Sequence, residues 1–478
     1  MFEKTLLAMD RSLFEKFEGL SVSLREPEKH SGNPVLSPGP SGSPDSLRAQ
    51  YDGTVLFHNG LHRLWYLAFD WENNEWISRV AYAESRDGST WEKPRLGLTE
   101  YRGSKANNLV SGLQENPDCI SVIKDDDGLL KAAVTNFHGL EKRHTDKKFH
   151  EHWDSKCGSP AFMGIAESRD GLSWSFSGRG DPEIREKLET CRLFKINGVY
   201  YMSGQQLFPW AGSEWNGRVV SFFRSENLRE WVKLDNIYRN KTCQCHVAVT
   251  FLKKTGDTLL GLVGRFQDAP EMPDQHFEIG LVISHDGVNW EEPAPCQSFI
   301  RRGGAGQWDA GGVIHGDGLI ERDGLCHIFY SGSAIGNDVL SGVGIGKVTF
   351  PENRYGYAAL QVKWDIGFKG VRAGGLVTKT VRPPSGSEFA LLLNADNFAG
   401  DALIRAAVLD ENGNVLKGYS FDDFSEIKKE GASIKCEWKT AGPVIKTDKP
   451  FKIAVNLYGG TYRMQSPFLY ALKIIEIK

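Results

Sequence analysis

Hydrophobic positions along the chain fall in short continuous or alternating apolar runs, bounded by Gly, Asn and Asp. This is the pattern of β-strands joined by tight turns. The clearest pair is Gly53–Phe69, where two strand-like runs flank Asn59-Gly60, a dipeptide suited to a two-residue hairpin. The same plan restarts at Cys119–Lys124, Arg192–Met202, His246–Phe251 and Gly318–Gly332. A second pattern follows an apolar run with Ser-x-Asp-Gly-x-x-Trp, at Ser85–Trp91, Ser168–Trp174 and Ser284–Trp290, with a weaker copy at Ser225–Trp231. Recurrence at intervals of roughly 55–85 residues marks a repeat architecture. The Asp-Gly pair predicts a turn, and each Trp is expected to fold back into the core of its own sheet. Five restarts predict five blades of a β-propeller, closed between first and last so that no sheet edge stays exposed.

Outside these repeats, Ser12–Phe17 reads as a short helix ahead of an extended lead-in. Composition shifts after Trp364 to short alternating strands: Phe389–Ala395, Leu403–Asp410, Phe451–Leu457 and Phe468–Ile475. They predict a β-sandwich. The expected fold is therefore all-β: a five-bladed β-propeller over residues 1–365, followed by a β-sandwich over 366–478.

Charge and composition narrow the partners. A formal net charge of −4 with 25% charged residues gives no basic excess for nucleic acid. The chain has no run of 18 apolar residues, so no membrane span is expected. The first ten residues are amphipathic and charged, without the apolar core of a secretory signal, which makes cytoplasmic residence the expectation, with secretion after removal of a signal as the alternative. The 8 Cys are scattered, several inside strand-like runs (Cys191, Cys326, Cys436). They read as free buried thiols in a reducing compartment. His150-Glu151-His152, in the charged insertion 136–160, could be taken for metal ligands but reads better as a solvated loop. No metal or cofactor is expected. The 13 Trp suit either propeller packing or a surface that stacks on sugar rings.

In a propeller the first strand of each blade lines the central channel, so polar residues at the start of those strands converge. Acids stand there in four of the five repeats: Asp45 and Asp52, Asp118, Glu189, and Asp309. Carboxylates gathered in one channel repel each other, which raises one pKa and leaves another group ionised, the requirement of a glycosidase acid and base. Arg48, Gln205, His246, Arg265 and Trp308, with Asp309, are the expected sugar contacts: bidentate donors, amides and a stacking platform.

These residues carry a family resemblance. The 1–365 segment resembles the five-bladed propeller glycoside hydrolases of families 32 and 43, in a little-studied bacterial branch that often carries a C-terminal β-sandwich. Asp52-Gly53-Thr54-Val55 resembles the first-blade Asp-Pro-x-Val motif of family 43, with Gly53 in place of Pro. Asp118 with Val122 resembles its second-acid strand. Glu189-Thr190-Cys191 resembles the Glu-Cys motif of family 32, with one residue interposed. The resemblance implies Glu189 as general acid, Asp118 as the group that tunes it or orients substrate, and Asp52 or its rival Asp45 as nucleophile or base. It implies a glycosidase, exo-acting on a furanosyl or related glycan, with an oligo- or polysaccharide substrate. Two alternatives remain: a phosphate-dependent glycoside phosphorylase using Arg48, Arg265 and Arg301-Arg302, and a glycan-binding propeller without catalysis.

Overall fold

The computed structural model describes residues 2–72, 75–113, 116–136, 162–179, 189–209, 216–238, 245–267, 276–335, 342–361, 372–384, 386–460 and 465–477. Among them the structure is all-β; the one helical element is a 3-10 turn at Arg11–Leu13. The helix expected over Ser12–Phe17 is therefore a correction. Asp10 caps that turn, and Phe14–Glu18 continues as a strand whose Phe14 enters a hydrophobic core.

Five small antiparallel sheets follow one another along the chain. The first holds Arg48–His58, Leu61–Glu72 and Glu75–Ser85. The second holds Pro117–Lys124, Leu130–Asn136, Phe162–Ser168 and Ser175–Arg179. The third holds Glu189–Ile196, Val199–Pro209, Asn216–Ser225 and Val232–Tyr238. The fourth holds Cys245–Thr255, Thr258–Gln267, His276–Ser284 and Trp290–Glu291. The fifth is built on Gly312–His315, Leu325–Ser333 and Gly344–Pro351, and its outer strand is Glu28–Lys29, brought from near the start of the chain. The hairpin dipeptides behave as their chemistry requires. Asn59-Gly60, Asn197-Gly198 and Asp323-Gly324 all have positive φ at both central positions.

Hydrophobic cores lie between consecutive sheets. Trp65 and Leu67 of the first pack with Ile120 and Val134 of the second. Met163 of the second meets Leu193 of the third, and Phe222 of the third meets Val263 of the fourth. Leu281 of the fourth meets Ile328 of the fifth. Phe329 of the fifth then packs with Tyr51 and Tyr66 of the first.

The repeated phrase follows the third strand of its sheet and, in the second, third and fourth sheets, leads into the fourth. In all four copies the Ser hydroxyl accepts the N–H three residues on, at 2.8–3.0 Å. The Asp or Asn side chain accepts the next two N–H groups, at 2.7–2.9 Å. The Trp packs on its own sheet and also reaches beyond it. Trp174 lies edge-on to Trp65 of the preceding sheet, 6.3 Å between rings, and Trp290 lies edge-on to Phe194 of the third. Each seals a seam between two sheets.

The remaining strands form a seven-stranded and a four-stranded sheet that bury one core, including Phe389, Leu391, Trp438 and Val455. The division at residue 365 does not follow these sheets. Glu3–Leu7 pairs with Phe468–Ile477, Phe14–Glu18 with Ala373–Thr378, and Leu20–Leu24 with Gly356–Leu360. Leu6, Leu13, Phe14 and Leu20 sit in the same core, so burial of apolar side chains draws the first 24 residues to the end of the chain.

Candidate functional site

The first strands of the five sheets each send a polar residue to one buried cluster. Arg192 of the third sheet is fully buried. Its Nη2 donates to Asp52 Oδ1 of the first sheet at 3.1 Å and to the carbonyl of His315 at 3.0 Å, and its Nε lies 3.5 Å from Asp317 Oδ1. Asp317, just past Gly312–His315, also accepts the hydroxyls of Ser121 (second sheet) and Thr250 (fourth), and that of Thr54 (first) at 3.4 Å. Hydroxyls stitch neighbouring strands as well: Thr54 accepts the N–H of Val122 at 2.8 Å, and Ser121 that of Leu193 at 2.7 Å.

The electrostatics follow from burial. One guanidinium serves two carboxyls away from water. Burial opposes the Arg192 charge, but Asp317 and Asp52 outweigh it and raise its pKa above the usual arginine value. Burial pushes the Asp317 carboxyl up, against the pull of Arg192 and the three hydroxyls. The His315 imidazole, fully buried beside the same guanidinium, is pushed down to about 3 by burial and by the Arg192 charge.

Asp52 and Asp118 are both tied to the strand that carries Glu189. Asp52 accepts from Arg192, as above, and from the Gln50 amide. Asp118 is half-buried; its Oδ2 accepts the Thr190 N–H at 3.0 Å and its Oδ1 accepts the Thr135 hydroxyl. Glu189 begins the strand, paired in register with Gln205, which is buried. The Glu189 and His246 backbones lie on their strands; their side chains fall outside the described residues, as do the histidines of the insertion.

Asp45 and Asp309 lie elsewhere. Asp45 is buried with Lys93, with the Tyr66 hydroxyl at 2.8 Å and with the Ser43 hydroxyl at 3.1 Å. Asp309 repeats this environment with Lys29 at 2.6 Å and the Tyr330 hydroxyl at 3.0 Å. Asp45-Ser46 and Asp309-Ala310 thus correspond, as two buried Asp–Lys–Tyr clusters that anchor the loops before two first strands. Trp308 is likewise packed, tilted against Tyr330 with 5.8 Å between rings. Arg265 is buried between Ser298 (3.2 Å) and Glu292 (3.4 Å). Arg48 lies over the Phe69 ring at 4.3 Å and donates to Gln50 at 3.0 Å, which places it in line with Asp52. Arg301 is exposed, 3.8 Å from Glu26, and Arg302 donates to the Ala310 carbonyl.

Sequence reasoning missed Arg192, Asp317 and Gln50. The available signal was a charge inside the apolar run Cys191–Phe194, and a carboxylate directly after a buried strand.

Among the described residues no group of three or more His, Cys, Asp or Glu is arranged to hold a metal, and no helix is long and apolar enough to cross a membrane. No family model matches the chain, and no curated protein matches it in sequence. Similar solved structures exist at low identity. A protein of Parabacteroides distasonis is 16% identical over 68% of this chain and 97% of its own, with a TM-score of 0.45. The exo-inulinase of Aspergillus awamori is 12% identical over 95% and 99%, with a TM-score of 0.42. The exo-beta-1,3-galactanase of Phanerochaete chrysosporium is 10% identical over 92% and 99%, with a TM-score of 0.40.

Proposed function

We propose that the five sheets are the blades of a five-bladed β-propeller, that the other two sheets form a β-sandwich beside it, and that the protein is a glycoside hydrolase, exo-acting on a furanosyl or related glycan. One observation carries this reading. The segment Glu189–Arg192 joins three acids from three consecutive first strands: Asp52 through Arg192, Asp118 through the Thr190 N–H, and Glu189 itself. Glycosidic cleavage needs one carboxyl that gives a proton to the leaving oxygen and one carboxylate that receives the sugar or activates water. Glu189 is the general acid in this reading. Asp118 fixes the strand beneath it, and Asp52, held by Arg192 and Gln50, is the nucleophile or base. Asp52 is preferred to Asp45 because Asp45 is engaged by Lys93 and Tyr66. Gln205 and Arg48 are the sugar contacts this arrangement keeps within reach.

The test is Glu189→Gln on natural glycans and on aryl glycosides with good leaving groups. The expected loss in kcat on unactivated glycans is about 10²–10⁴-fold, with a smaller loss on the aryl glycosides, whose leaving group needs no proton. Asp52→Asn should abolish both. Wild-type binding of a glycan that it never cleaves would make the propeller a binding module instead. Sugar release that requires inorganic phosphate would make it a phosphorylase.

A further inference from the structure

We propose that Cys119 and Cys191 form an oxidative modification site, at which a small peroxide converts two thiols into a disulfide joining the first strands of the second and third sheets. This inference does not depend on the glycosidase reading.

The two sulfurs lie 3.2 Å apart and both residues are fully buried. The strands are already aligned for a cross-link. Thr190 N–H meets Asp118, Cys191 N–H meets the Cys119 sulfur at 3.2 Å, and Leu193 N–H meets Ser121, so the backbones run side by side at constant offset. A disulfide needs sulfurs about 2.05 Å apart. Closing the gap asks each side chain for a shift of well under ~1 Å, within side-chain adjustment.

The pair is also polarised. Burial opposes ionisation of Cys119, but its hydrogen bond with the Cys191 thiol and the Arg192 charge outweigh it, and its pKa lies below the usual thiol value. Cys191 is pushed up by its hydrogen bond to Cys119 and by burial. The Cys119 sulfur also accepts the Cys191 N–H at 3.2 Å, a contact that favours its thiolate, so Cys119 is the attacking sulfur and Cys191 the resolving one, since the thiolate is the nucleophile. Asp118 and Thr190, each one residue away, are half-buried, so the surface lies close to the pair. Among the described residues no such partner meets the other buried thiols, Cys326 and Cys436; Cys326 contacts Glu321 and the Tyr355 hydroxyl.

The chemistry balances in two steps. The Cys119 sulfur attacks a peroxide oxygen; the O–O bond breaks, hydroxide leaves and takes up the thiol proton as water, and Cys119 becomes a sulfenic acid. The Cys191 sulfur then attacks the Cys119 sulfur; the S–O bond breaks, the S–S bond forms and a second water leaves.

Hydrogen peroxide titration of the native full chain, followed by mass spectrometry of an alkylated non-reducing digest, tests this. The expected product is a cross-linked peptide pair containing Cys119 and Cys191, two hydrogen masses lighter than the free peptides and restored by dithiothreitol. Cys191→Ser should stop the reaction at a trapped sulfenic acid on Cys119. Over-oxidation of either sulfur in the wild type without cross-linking would overturn the proposal. So would alkylation of both thiols after peroxide treatment that has already oxidised the exposed Cys296, or a disulfide to a different partner.

Discussion

Arg192 is the residue on which the middle of the molecule turns. It is a charge taken wholly out of water, and such a group persists only where counter-charges and hydrogen bonds surround it. Asp52, Asp317 and two carbonyls do so here. Burial, together with the same guanidinium, keeps His315 neutral, and that has a measurable consequence. With its folded pKa depressed to about 3 and an unfolded value of about 6.5, His315 takes up a proton in the unfolded chain before it does so in the folded one. Its contribution to stability is complete above pH ~6.5 and is lost as pH falls from there toward ~3, by an amount on the order of a few kcal/mol. His327, pushed down to about 4 chiefly by burial, acts in the same direction. Urea denaturation from pH 7 to 4 should therefore give steadily lower midpoints for the wild type and a shallower decline for His315→Gln. Equal slopes would mean that the ring takes up its proton at the same pH in the native and unfolded states.

At the scale of the element, the Ser-x-Asp-Gly-x-x-Trp turn explains both what was legible in the sequence and what was not. Its hydrogen bonds span three residues or fewer, so residue type and spacing alone imply them, and the same holds for the Asn-Gly and Asp-Gly hairpins. The reach of the Trp beyond its own sheet was not legible, because it depends on how adjacent sheets stack. Asp317 and Arg192 were hidden for the same reason: they meet only after several sheets have been placed. Asp45 and Asp309 misled because their repeat was genuine while their partners, Lys93 and Lys29, lie far along the chain. The turn also makes a sharp stability prediction. Gly171 has a φ of +75°, and a Cβ there would come 2.5 Å from the Trp65 ring and 2.9 Å from Leu130. Gly171→Ala should lower stability by about 2–5 kcal/mol, from left-handed strain and overpacking together. Gly413→Ala, at φ +89° with open space around it, should cost only the strain, about 1–2 kcal/mol. Thermal melts of the two variants compare them directly; equal losses would show that the seam gives way to admit the methyl group.

Across the whole molecule, the sheets that complete the chain take four strands from outside residues 366–478: Glu3–Leu7, Phe14–Glu18, Leu20–Leu24 and Gly356–Leu360. Arg25 and Arg354 both reach Asp396, at 3.1 and 2.7 Å, fastening the segments on either side of the five sheets to the same carboxylate. Residues 366–478 produced alone would expose the edges and apolar faces those strands cover. They should fail to show a cooperative unfolding transition, whereas a fusion restoring residues 1–24 and 351–361 ahead of them should recover one. A cooperative melt of 366–478 alone would mean that the borrowed strands are dispensable.

The pairing of Glu3–Leu7 with Phe468–Ile477 also bears on how the protein is made. A ribosome releases the first strand long before its partner exists, and Glu28–Lys29 must likewise wait for Gly344–Pro351. The strands Glu3–Leu7 and Glu28–Lys29 therefore wait through the synthesis of more than 300 residues for their neighbours, while the second, third and fourth sheets find theirs as they emerge. Nascent chains stalled before residue 344 should leave the leading segment open to protease, and a chaperone that shields short apolar strands would have its longest work there.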